Sequence, residues 1–230
     1  MKQFKLLTLV ALAVFGFISC SKEEAPKQQE APKQHAVKSK KIENLHAPQK
    51  GGHGGAPATG KFIKFDFSTG LETNSNRDWD IAFRGSTIIV NGGVKSGATE
   101  EPERSGNAAV YIAKKAFAAV KEVNTSSLKQ DKASTLAIPT GSGNGWYNYD
   151  MKTHSITPIA GRTLVFRTRD GKYAKMEILS YYKDMKPESD EIGEVIQYGV
   201  LFGINIALVL KEKEKWKHLL WIRPMGKNIS

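Results

Sequence analysis

The sequence predicts an all-β, antiparallel, sandwich-like fold with long loops, set behind a disordered N-terminal tether. Three observations predict it. Apolar and polar residues alternate in short runs, an Asp-Gly pair joins two of those runs, and Gly and Ser punctuate the rest. Only residues 107–120 have any helical character, and Ala109-Val110-Tyr111-Ile112-Ala113 within them reads equally well as a strand.

The chain begins with a different pattern. Lys2 and Lys5 make a short basic start, residues 6–18 are almost wholly apolar, and Ser19-Cys20 closes the segment. That apolar run is too short to span a bilayer, and a small residue precedes the cut, so residues 1–19 read as a signal peptide. Cys20 is the one cysteine of the chain and stands where a lipobox needs its nucleophile, although Phe17 replaces the usual Leu. The expectation is an exported bacterial lipoprotein, cleaved before Cys20, lipidated there and anchored to the membrane by that lipid. Ser21-Lys22-Glu23-Glu24 resembles the Lys-acid-acid signal that sends lipoproteins to the outer-membrane surface.

Residues 20–60 are rich in Pro, Gln, Lys, Gly and His and poor in bulky apolar side chains. Such a segment buries too little surface to offset its chain entropy, so it reads as a tether. His35, His46 and His53 lie in it without the fixed spacing of a metal site.

About 170 residues, 61–230, remain for one domain with a real core. Ile63, Phe65 and Phe67 alternate with Lys64 and Asp66, and Trp79, Ile81 and Phe83 alternate with Asp80, Ala82 and Arg84. Residues 86–90 form a β-branched run that ends at Asn91-Gly92-Gly93. Residues 163–168 and 173–182 flank Arg169-Asp170-Gly171-Lys172, a hairpin signal. In the second run Ala174, Met176, Ile178 and Tyr182 are expected on one face. The acidic residues, alternating with apolar ones, are expected to face solvent.

The net charge of +11 belongs partly to the leader and tether. There is no basic helix and no aromatic platform, so nucleic acid is not an expected partner. Attraction to an anionic surface or ligand is the milder inference. Catalytic motifs are equally sparse. We find no nucleotide loop, no Gly-x-Ser-x-Gly elbow and no His-Glu-x-x-His, and beyond the tether only His154 and His218 remain. The expectation is a binding protein, not an enzyme.

Four motifs in order carry a resemblance. They are Asp78-Trp79-Asp80-Ile81-Ala82-Phe83-Arg84 with Asn91-Gly92-Gly93; Gly145-Trp146-Tyr147-Asn148-Tyr149-Asp150-Met151; Arg162-Thr163-Leu164-Val165-Phe166-Arg167-Thr168; and Asp170-Gly171-Lys172-Tyr173-Ala174-Lys175-Met176. Together they resemble the HmuY family of haem-binding surface lipoproteins. The resemblance implies a β-fold holding one haem between loops. That haem would be taken from host haemoproteins and passed to a TonB-dependent outer-membrane receptor. It also implies two axial iron ligands, His or Met, one of them five residues after the Trp of the Gly-Trp run. Here that residue is Met151, with His154 close enough to substitute. Trp146, Tyr147 and Tyr149 would give flat apolar contact to a porphyrin, and Lys152 or Arg162 would pair a propionate.

The chain departs from the family pattern twice. No His and no Met lies between Gly85 and Tyr149, where the other axial ligand belongs. Residues 198–210 are solidly apolar instead of alternating. As a membrane span that tail is too short; as a strand it would be buried on both faces, unusual in an antiparallel sheet; and a third reading is a frameshift near Ile192 that makes residues 192–230 atypical. The first departure keeps two alternatives in view, a surface module that binds a glycan or partner protein instead of haem, and a purely structural lipoprotein.

Overall fold

A computed structural model of the chain describes residues 38–52, 57–185 and 201–209. The segment expected to be a signal peptide, Cys20, His35, His53 and His218 lie outside the described residues, and so do residues 192–200 and 210–230. The fold is the expected all-β antiparallel sandwich. Eleven strands are described: β1 Lys38–His46, β2 Ile63–Asp66, β3 Leu71–Thr73, β4 Ile81–Arg84, β5 Thr87–Val90, β6 Ala109–Ala113, β7 Tyr147–Tyr149, β8 Ile156–Pro158, β9 Thr163–Arg167, β10 Tyr173–Ser180 and β11 Leu201–Val209. One sheet runs β1-β11-β10-β9-β6, a second runs β3-β2-β4-β5, and β7 pairs with β8.

The two larger sheets share one core. Phe65, Phe67, Ile81, Phe83, Ile88 and Val90 from one meet Val110, Leu164, Phe166, Ala174, Met176 and Ile178 from the other. Phe67 and Phe166 touch across the layers, ring centroids 5.1 Å apart. The alternation read from the sequence therefore does place Phe65, Ile81 and Phe83 inward. Strand β4 is nonetheless buried along its whole length. Its other face, through Ala82, belongs to a second cluster with Phe62, Trp79 and Ile89, against which Leu136 packs. The long loop after β6 thus covers a face that alternation alone would leave wet.

The Asp-Gly hairpin forms as expected. Tyr173 pairs with Arg167 and Met176 with Leu164, and Thr168 N–H donates to Lys172 O at 2.7 Å. Residues 107–120 resolve into strand β6 and a single 3₁₀ turn at Phe117–Ala119. Beneath that turn the buried Lys175 ammonium donates to Phe117 O (2.7 Å) and Val120 O (3.1 Å). Burial pushes its pKa down to about 8.

Several expectations change. Strand β1, Lys38–His46, lies inside the segment expected to be tether: Leu45 and Ala47 are buried and β1 pairs with β11. Lys50 and Thr59 also pair through their backbones. Residues 201–209 of the apolar tail form strand β11, between β1 and β10. Tyr182 leaves the expected face: the β10–β11 register shifts between Ile178 and Ser180, so Tyr181 enters the core and Tyr182 lies at its margin.

The acidic residues depart furthest from expectation. Asp66, Asp80, Glu101 and Asp131 are buried, not solvent-facing. Arg169, in the β9–β10 turn, donates to Asp66 Oδ1 (2.8 Å) and Asp80 Oδ2 (3.0 Å), which ties the two sheets together. Arg104 bonds Glu101 and, at 3.0 Å, Asp131 Oδ2. Asn91 donates to Trp79 O and accepts from the Ser105 and Gly106 amides. Gly93 has φ +82°, and a Cβ there would meet Asp131 O at 2.0 Å, so only glycine fits.

Candidate functional site

The Gly-Trp run enters the small β7–β8 hairpin through a backbone with no spare room. A Cβ on Gly145 would lie 2.1 Å from Pro139 O. Trp146 follows with its indole buried, donating from Nε1 to Ser86 O at 2.9 Å and packing on Tyr147 at 4.9 Å between centroids. The Tyr147 hydroxyl accepts from Ser86 Oγ (3.3 Å) and Gly141 N (3.2 Å). The Arg162 guanidinium donates to Gly145 O and, at 2.8 Å, to Gly143 O. These three residues therefore build the base of the hairpin: two belong to the core, and the arginine holds the loop leading into it.

The tip of the hairpin is different. Residues 150–155 form a closed loop in which Asp150 N–H donates to Ser155 O at 2.9 Å. Asp150 Oδ1 accepts from Lys152 N (2.7 Å) and Thr153 N (3.3 Å), an Asx turn whose amides lower its carboxyl below the usual range. Met151, on that loop, is 76% exposed. His154 is exposed too, in the left-handed region at φ +53°. Its Nδ1 lies 2.7 Å from the Tyr149 hydroxyl, and the rings are 6.2 Å apart.

Behind the tip, the Tyr182 hydroxyl accepts from Ile156 N at 2.8 Å, and burial raises its phenol pKa. Ser86 and Tyr182 are supports that sequence reading missed. Each lies far from the hairpin in the chain, so only the fold brings them there.

The structure thus gathers Met151, His154, Tyr149 and Lys152 at one exposed loop and sets Trp146, Tyr147 and Arg162 beneath it. Among the described residues no three His, Cys, Asp or Glu side chains gather as a cage for a bare ion. The donors at the tip are a thioether and an imidazole, both iron-compatible. The Tyr149 hydroxyl at Nδ1 is the kind of contact that orients a ligating histidine. This donor set fits an iron already held by four porphyrin nitrogens.

A family model, described as HmuY protein, matches residues 58–193. The chain belongs to the HmuY family. Strands β2 to β10 and all four motifs of the sequence reading fall within that match. Among solved structures, this HmuY-family chain is similar to the crystal structure of a Tannerella forsythia apo HmuY analog. Identity is 13%, the alignment covers 76% of this chain and 97% of that one, and the TM-score is 0.40. A comparison with curated proteins finds no match.

The motifs that mark this family member are largely scaffold. Trp79 to Arg84 lie in the interior, Asn91 ties a loop to them, and Gly93 permits a close backbone approach. The exposed thioether among the motif residues, Met151, lies at the hairpin tip.

Proposed function

We propose that this HmuY-family protein is a surface lipoprotein that binds haem at the β7–β8 tip and delivers it to an outer-membrane uptake system. The reading makes it a carrier, not an enzyme. Haem would come from host haemoproteins and pass to a TonB-dependent receptor. One observation carries the reading: a solvent-exposed Met151 beside a His154 whose ring is oriented by Tyr149. The porphyrin would supply the iron and its open axial positions. Met151 or His154 would fill one of them, Tyr149 would flank the macrocycle, and the exposed Lys152 would pair a propionate.

The test is spectroscopic. Sulfur prefers ferrous iron. Met151→Ala should therefore shift the Soret band and weaken binding chiefly under dithionite, with the fold intact. His154→Ala should weaken ferric binding most if imidazole is the ligand. Wild-type protein with no Soret shift in either oxidation state would reject haem and favour the glycan or partner-binding alternative.

The anchor is a separate proposal, resting on the sequence around Cys20. With no other thiol in the chain to accept diacylglycerol, Cys20→Ala should accumulate as unprocessed precursor with no labelled palmitate. Undiminished labelling would end it. The surface location follows from Ser21-Lys22-Glu23-Glu24, and protease access on intact cells tests it.

A further inference from the structure

If the tip holds haem, one axial position is still unassigned. Met151 and His154 are poorly placed to fill both. They lie three residues apart, a reach of roughly 10 Å of extended chain at most. They also share a loop closed by the Asp150–Ser155 bond. A macrocycle between them would have to pass through that loop. The hairpin therefore offers one face of the iron one ligand, and the sequence between Gly85 and Tyr149 has no His or Met for the other.

The remaining donors of this kind among the described residues are three. Met176 is fully buried. His46 is exposed at the end of β1. Met185 is 47% exposed in the turn Lys183–Met185 that follows β10.

The fold brings Met185 to the same end as the hairpin through one residue. Met185 N–H donates to Tyr182 O at 3.1 Å, while the Tyr182 hydroxyl accepts from Ile156 N, two residues past His154. A single tyrosine side chain thus spaces the Met185 backbone from the hairpin. That turn is held firmly: Asn44 Nδ2 donates to Asp184 Oδ1 and Asp184 N to Asn44 Oδ1, both at 2.8 Å. Asp184 and Met185 both have positive φ, 51° and 61°, a conformation that costs energy at non-glycine residues and clusters at ligand clamps. Lys183 and Lys152, both exposed, add positive charge for propionates on the two flanking elements.

We propose that Met185 is the second axial ligand, facing the hairpin donor across the porphyrin. This rests on the haem reading above and adds to it the residue that replaces the family's upstream ligand. The experiment uses the full mature chain loaded with ferrous haem, with coordination read by absorption and resonance Raman spectroscopy. The wild type should be six-coordinate and low-spin. Met185→Ala should keep the haem on the hairpin but become five-coordinate and high-spin, with an unchanged melting temperature. Met185→His should restore six-coordination with an altered spectrum. A low-spin complex that survives Met185→Ala would overturn the proposal while leaving haem binding intact. So would a wild type that is already five-coordinate, or a loss of low-spin character confined to His46→Ala. Wild type with no Soret shift would overturn both readings together.

Discussion

Arg169→Ala should lose about 3–5 kcal/mol of stability, the usual cost of stripping one partner from a buried ion pair. The reason lies in what the guanidinium leaves behind. Asp80 is almost wholly buried and Asp66 nearly so, and Arg169 Nη1 bonds both. Without it, two carboxylates face each other in the interior. Arg169→Lys keeps the charge but not the planar fork, so it should recover part of the loss. Urea unfolding measures this directly, and a loss under about 1 kcal/mol would place the cluster among weak surface pairs instead.

The pH dependence of that loss has a definite sign. Burial alone would raise the Asp66 carboxyl, but Arg169 and Ser68 outweigh it and hold it below its ordinary 3.8. A depressed carboxyl stabilises the fold above its unfolded pKa, and that contribution is lost as pH falls through the folded value. Burial raises Asp80, which therefore favours protonation in the fold. The two effects oppose each other in acid: protonating Asp66 gives up its ion pair, whereas protonating Asp80 relieves a buried charge. The gap between wild type and Arg169→Ala should be widest near neutral pH and should narrow below about pH 4 as the carboxyls protonate.

These carboxylates also show where sequence reading succeeds and where it stops. Alternation at Ile63-Phe65-Phe67 and Ile81-Phe83, and the Asp-Gly turn, are local signals, and the strands formed where those signals lay. Asp66 and Asp80 alternate with apolar residues as exposed positions do. Nothing local says that an arginine about a hundred residues away will cover them. Strand β1 was missed for the same reason. Leu45 and Ala47 are a faint apolar signal, and the strand exists through pairing with β11. At the hairpin, Met151 and His154 were singled out through the family resemblance alone, and the structure adds that both lie exposed on one loop, whereas the link from the Met185 backbone to the hairpin runs through Tyr182 and depends on the tertiary fold.

The second large effect separates scaffold from site. Asp131 closes the long loop between β6 and β7 onto β5. Its Oδ2 accepts Val90 N (3.0 Å), its Oδ1 accepts Ala137 N (2.9 Å), and it pairs with Arg104. Asp131→Ala should therefore cost about 3–5 kcal/mol, because it strands two amides and half of a buried arginine's pairing. Asp131→Asn should cost less. Burial already pushes the Asp131 carboxyl up, so a neutral amide gives up less there than an exposed carboxylate would. The Val90 and Ala137 amides should then exchange hydrogen faster than the β9–β10 hairpin does. The hairpin proposed to hold haem is tied to the other end of β5, where Trp146 Nε1 donates to Ser86 O. Below its lowered melting temperature, Asp131→Ala should consequently keep the wild-type Soret band, whereas Met151→Ala should keep wild-type stability and lose it. A Soret band that fails in Asp131→Ala while the core remains folded would show that the loop's attachment to β5 positions the ligand as well as holding the sandwich closed.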